Sequence, residues 1–167
     1  MSWLQSDMSW FQADLDAANV KIPPPLVCVF VIVLGLLAQA YIYAVTLPLP
    51  TWANQWGAAL LVLIGAIFAA ASLGQFWLIE QDPHPWKYTP SVITTGIYAV
   101  TRNPMYLAMA LVQAGIGLRL DNAWIFLFTP IFMWSIYMLA IRHEETYLLK
   151  KFSEQYLQYT IRVRRWL

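Results

Sequence analysis

Charge is scarce in this chain: only 11% of its 167 residues are Asp, Glu, Lys or Arg, against about 25% in an ordinary soluble domain. Cysteine is nearly absent. The single Cys28 lies inside an apolar run and has no internal partner, which excludes a disulfide-built secreted scaffold. Two histidines, His84 and His143, are all there are, and no spacing resembles a zinc site, so no metal is expected. A net charge of +1 with no basic stripe argues against a nucleic-acid partner. Phosphate-binding loops, dinucleotide-binding glycine fingerprints and nucleophile elbows are missing. The first 20 residues also lack the basic opening and small-residue cleavage site of a signal peptide. What is abundant is apolar: 60% hydrophobic and 16% aromatic residues. That composition excludes disorder and a water-soluble globule, and it makes the lipid bilayer the first expected partner.

Crossing about 30 Å of hydrocarbon takes roughly 20 apolar residues in a helix. Uncharged runs cover Leu26–Leu47, Gly57–Ile79, Pro104–Leu118 and Asn122–Ile141. The third is short, but Arg119 at its end can snorkel to the interface. Only Arg119, Leu120 and Asp121 separate the third run from the fourth. The expected fold is therefore all-α and integral to the membrane, with four transmembrane helices whose last two form a tight hairpin, plus cytoplasmic amphipathic helices. Four spans put Lys21, Lys87, Arg102, Arg142, Lys150, Lys151, Arg162, Arg164 and Arg165 on one side and Arg119 alone on the other. This bias places both termini in the cytoplasm. Three parts are expected: an interfacial amphipathic segment over 1–25, the first two spans over 26–82, and a core over 83–167 of loop, hairpin and amphipathic tail. Trp3, Leu4, Met8, Phe11 and Leu15 supply the apolar face of the first part, and Pro23, Pro24 and Pro25 end it.

Polarity is concentrated on the cytoplasmic side. In Thr101-Arg102-Asn103-Pro104-Met105-Tyr106, Asn is a preferred helix cap and Pro is favoured at the first helical position. The helix start and the Arg102 charge together suit a carboxylate or phosphate; an ordinary cap beside an Arg that binds lipid headgroups is the alternative. Where the fourth run ends, Arg142-His143-Glu144-Glu145 sets two acids at a helix end that prefers cations. One of them must face the apolar side and find a partner there: a ribose hydroxyl, an amine or Arg102. If both are solvated, they merely fix the register of the tail. In that tail Leu148, Phe152, Tyr156 and Tyr159 recur at helical spacing, as for a surface helix or a lid over the cytoplasmic mouth. Gly115, Gly117 and Gly65 read as helix-packing residues, and Gln39 and Gln75 as polar links between helices.

Taken in order, Gly96-Ile97-Tyr98, Arg102-Asn103-Pro104-Met105-Tyr106, a hydrophobic hairpin, Glu144-Glu145-x-x-Leu148, Phe152, Tyr156, Tyr159 and Arg162-Val163-Arg164-Arg165-Trp166 resemble the integral membrane methyltransferases of the isoprenylcysteine carboxyl methyltransferase and phospholipid N-methyltransferase superfamily. The likeness covers residues 83–167. Asn103 stands where the carboxyl methyltransferase branch usually has His, and Ser153 replaces the usual Gly after Phe152. The resemblance implies S-adenosylmethionine as cofactor, S-adenosylhomocysteine as product and a lipophilic small-molecule acceptor: a phospholipid amine, a prenyl-cysteine carboxylate or a related hydrophobic compound. It implies a cofactor site of Tyr98, Arg102, Asn103, Pro104, Tyr106, Leu107, His143, Glu144, Glu145, Tyr156 and Tyr159, with Arg102 and Glu145 as the catalytic candidates. Two rivals stand beside it. One is an NADPH-dependent membrane reductase of the sterol reductase type, whose chains are about twice as long; the other is a non-catalytic membrane adaptor.

Overall fold

The structure, a computed structural model, describes residues 16–167. Of the amphipathic segment expected over 1–25, residues 1–15 lie outside them, and residues 16–23 form no helix before Pro24 opens the first one. Every regular element among the described residues is helical: α1 (Pro24–Tyr41), α2 (Thr51–Leu78), a 3-10 turn (Gly96–Ala99), α3 (Pro104–Arg119), α4 (Ala123–Leu127), α5 (Thr129–Ile136), a π-helical turn (Tyr137–Ile141) and α6 (Arg142–Arg162). Three stretches are long and apolar enough to cross a membrane: Pro24–Tyr41, Thr51–Leu78, and Ala123–Arg162 running from α4 through α6. Pro24 at the start of α1 and Pro104 at the start of α3 lose nothing by lacking an N–H, because the first turn has no partner for one.

The apolar run expected as a single fourth helix is built in pieces. Pro130 cannot donate to the preceding turn, so α4 closes and α5 begins around Phe128. The run expected to continue to Leu47 leaves the helix after Tyr41. There, Gln39 accepts the Val45 N–H at 3.0 Å, so it holds its own loop instead of linking two helices.

α3 is the centre of the bundle and packs on α1, α2, α4 and α5. Against α2 the approach is close enough to reach the backbone. A Cβ on Gly65 would stand 3.0 Å from the Ala108 carbonyl oxygen, and one on Gly115 would stand 3.2 Å from that of Ala58. Small residues matter here because lipid is as apolar as a side chain, so helices associate in a bilayer through fit and hydrogen bonds. On the other flank, Val27, Val31, Tyr106, Phe132, Ile136 and Ile141 form a buried cluster that Ala18 and Val20 complete.

The turn after α3 is held by polar groups. Asp121 Oδ1 accepts from Leu47 N at 2.9 Å and Asn54 Nδ2 at 3.1 Å. Asn122 caps α4 by accepting the Ile125 N–H and donates to the Gly35 carbonyl. The opposite end of the bundle, where α3 begins and α6 starts, stays open.

Candidate functional site

That open end holds a cavity of about 580 Å³, within the range of small-molecule sites. Four separate segments wall it: residues 18–26, the 73–93 stretch, 98–109 at the start of α3, and 144–159 on α6. Of the residues named from sequence, Tyr98, Arg102, Asn103, Pro104, Tyr106, Glu144, Glu145, Tyr156 and Tyr159 line it. His143 and Leu107 do not. His143 points to the exposed side of α6, and Leu107, one position past Tyr106 on α3, is buried outside the cavity lining.

The charged wall is a relay of three groups. Glu145 takes two hydrogen bonds from Arg165, Nε at 2.9 Å and Nη2 at 2.8 Å. Its Oε1 also lies 3.2 Å from Arg102 Nη1. Bidentate guanidinium–carboxylate pairing of this kind is strong and directional, and it keeps the Arg165 guanidinium more firmly protonated than usual. Two cations share one anion, so the cluster retains positive charge. Arg102 Nε is buried and has no hydrogen-bond partner, a costly state for a charged donor unless something else binds it. Glu144, the neighbouring acid, accepts a hydrogen bond from Tyr106 across to α3. The sequence asked one acid of the pair to find a partner, and both have one.

Asn103 does not cap α3 with its side chain. Its Nδ2 donates instead to the Arg165 carbonyl at 3.0 Å, alongside Thr101 Oγ1 at 3.1 Å, while the Arg102 N–H reaches the Arg164 carbonyl at 3.0 Å. These bonds tie residues 164–165 to the segment leading into α3 and deliver Arg165 to Glu145. Tyr159 Oη donates to the Tyr98 carbonyl at 2.7 Å. Tyr98 Oη meets Ser72 at 2.7 Å and its ring stands edge-on to Phe76; burial pushes the Tyr98 hydroxyl well above the usual tyrosine range. Gln75 is not part of the lining. It accepts from Thr95 Oγ1 at 3.2 Å and lies over Gly96, whose φ of +59° would strain any other residue.

Arg165 was visible in the sequence only as one cation among several in the tail. The cytoplasmic loop was expected to belong to the core, but not which of its residues reach the cavity: Asp82, His84 and Trp86 line it. Ala18, Pro23, Pro24 and Pro25 line it too, from a segment the sequence suggested only as the end of an interfacial helix.

α6 bends at Ser153, where φ is +41°. The bend lets Leu148 and Phe152 on one side and Tyr156, Tyr159 and Val163 on the other converge into one cluster with Val92. A left-handed φ is where glycine is at ease and serine is strained.

Fold and site together define an all-helical integral membrane protein whose polar, open end is a cavity headed by an arginine–glutamate cluster. The phospholipid methyltransferase family matches residues 53–155, and the chain belongs to that family. Protein-S-isoprenylcysteine O-methyltransferase B of Arabidopsis thaliana is 25% identical over 118 residues, 67% of this chain and 57% of that protein. Protein-S-isoprenylcysteine O-methyltransferase of Schizosaccharomyces pombe is 32% identical over 72 residues, 43% of this chain and 30% of that protein. An uncharacterized protein of Haemophilus influenzae is 41% identical over 63 residues, 38% of this chain and all of its own. The match thus spans little more than half of the Arabidopsis relative and under a third of the yeast one. No solved structure matches the chain.

Proposed function

We propose that the chain is a multi-pass membrane methyltransferase that uses S-adenosylmethionine, releases S-adenosylhomocysteine and methylates a lipid-soluble acceptor. One observation carries the reading: Arg102 and Tyr106 at the start of α3 meet Glu144 and Glu145 at the start of α6 on one cavity wall. A buried guanidinium nitrogen without a partner suits an incoming carboxylate such as that of the cofactor's amino-acid end. Glu144 suits its ammonium or a ribose hydroxyl, and tyrosine faces suit a cationic sulfur, each worth about 0.5–2 kcal/mol. When bound, the cofactor supplies a methyl group activated by a positively charged sulfur. The protein's part is placement. Glu145, engaged by both Arg102 and Arg165, fixes the Arg102 guanidinium and acts as its positioning residue. Tyr106 holds Glu144, and the clamp of residues 164–165 on 101–103 holds the charged wall together.

In this reading α3 is the third of four spans, and α4, α5 and the π-helical turn form the fourth, packed back on α3 as a tight hairpin. Both termini are cytoplasmic, and residues 83–167 form the methyltransferase core with α6 as its lid. The acceptor is a phospholipid amine, as the family's description suggests, or a prenyl-cysteine carboxylate, as the two eukaryotic relatives' names suggest, or a related hydrophobic compound.

Calorimetry on the detergent-solubilised protein tests this. S-adenosylhomocysteine should bind and NADPH should not; a preference for NADPH indicates a reductase, and binding of neither indicates an adaptor. Transfer of labelled methyl from S-adenosylmethionine into a total lipid extract, resolved by mass, would then identify the acceptor.

A further inference from the structure

A second polar patch lines the same cavity. Asp82 Oδ1 accepts the His84 backbone N–H at 2.9 Å and stands 2.5 Å from His84 Nδ1. Trp86, buried to 7% exposure, packs beside the imidazole with ring centroids 5.0 Å apart. Pro83 and Pro85 flank the histidine and restrict its backbone. Directing the Nδ1 proton at Asp82 leaves the lone pair on Nε2, the arrangement of a base oriented by a carboxylate. The pair is about half exposed, 50% for His84 and 45% for Asp82, so its proton can pass on to water. Two further acids on the cavity wall, Glu144 and Glu145, are already bonded to Tyr106 and to two guanidiniums.

We propose that His84, held by Asp82, is the proton acceptor of the methyl-transfer site, and that the acceptor substrate is therefore a proton-bearing nucleophile on an apolar tail, an amine or a thiol. The proposal rests on the methyltransferase reading and narrows it. An ammonium gives one N–H proton to His84 Nε2. The freed nitrogen lone pair forms the new N–C bond while the bond from methyl carbon to sulfonium breaks, and that electron pair leaves on sulfur as a neutral thioether. A thiol gives up its S–H proton in the same way. The imidazolium, paired with Asp82, then passes its proton to water. A carboxylate arrives already ionised and has no use for the base.

The test uses the purified protein, labelled S-adenosylmethionine and three single-tailed probes: dodecylamine, dodecanethiol and dodecanoate. Methyl transfer is expected to the amine or the thiol and not to dodecanoate. His84→Gln should lower that transfer about 100-fold while leaving S-adenosylhomocysteine affinity within twofold. Independently of turnover, nitrogen-15 NMR of histidine-labelled protein should show the Nδ1-protonated tautomer for His84, and Asp82→Asn should remove it. Transfer to dodecanoate, transfer that His84→Gln leaves within twofold, the Nε2-protonated tautomer, or no transfer to any probe despite S-adenosylhomocysteine binding overturns the assignment. Failure of the unmodified protein to bind S-adenosylhomocysteine overturns the methyltransferase reading instead.

Discussion

The seam between α2 and α3 and the cavity at the start of α3 lie on the same helix and are held by opposite means. At the seam, Gly65 and Gly115 bring side chains onto the facing backbone and leave no space. At the cavity, about 580 Å³ stays open, and Arg102, Glu145 and Arg165 hold its wall by charge. Closing helices in lipid requires fit, since water expulsion contributes little there. Keeping a polar hollow open requires a carboxylate to separate two cations, leaving one donor, Arg102 Nε, unsatisfied.

The sharpest way to break this contrast is at the cavity. Arg102→Ala should weaken S-adenosylhomocysteine binding about 10- to 150-fold, the worth of a charged hydrogen bond of about 1.5–3 kcal/mol. Its melting temperature should change little, because Glu145 keeps Arg165; unchanged affinity by calorimetry would separate Arg102 from the ligand. Gly65→Val should do the converse. Its added carbons meet Val112 at 2.9 Å and the Ala108 carbonyl at 3.0 Å, and overpacking of this kind costs about 1–3 kcal/mol. The protein should melt earlier in detergent, with affinity retained by the fraction still folded.

Ser153→Gly tests the α6 bend. Relieving a left-handed φ should raise stability by about 1 kcal/mol, measured as a higher melting temperature; a lower one would mean the serine hydroxyl matters more than the backbone. The smallest effect concerns Asp16, whose carboxylate contacts Lys151 Nζ at 2.6 Å while its carbonyl accepts from Tyr147. The Lys151 ammonium holds the Asp16 carboxyl below its ordinary range. A depressed folded-state value means the contact contributes at neutral pH and is lost as pH falls through the carboxylate range. Cleavage by an acid-tolerant protease ahead of Lys21 should therefore rise only below about pH 4, and Asp16→Asn should abolish that dependence.

The same contrast explains what could be read in advance. Gly65, Gly115 and Gly117 showed themselves because close approach needs a missing side chain, and that absence is a local property of sequence. Arg102, Glu144 and Glu145 showed themselves because charged groups at the ends of apolar runs must find partners, whereas Tyr106 came with the family resemblance. What stayed hidden depends on long-range geometry. Arg165 reaches Glu145 only because Asn103 and Thr101 hold its backbone carbonyl, a bond across more than 60 positions that no spacing rule encodes. His143 follows the same reasoning in reverse: Glu144 and Glu145 just after it line the cavity, and the helical rotation per residue turns it outward.

That rotation gives the π-helical turn at Tyr137–Ile141 a particular importance. A wide turn carries one residue more than an ordinary one, so it resets the angular phase of everything downstream by about 100°. The direction in which the twin glutamates aim is set upstream of them, in a stretch containing no charge at all. Deleting a single residue there would keep the apolar thickness almost unchanged and yet swing both acids off their partners.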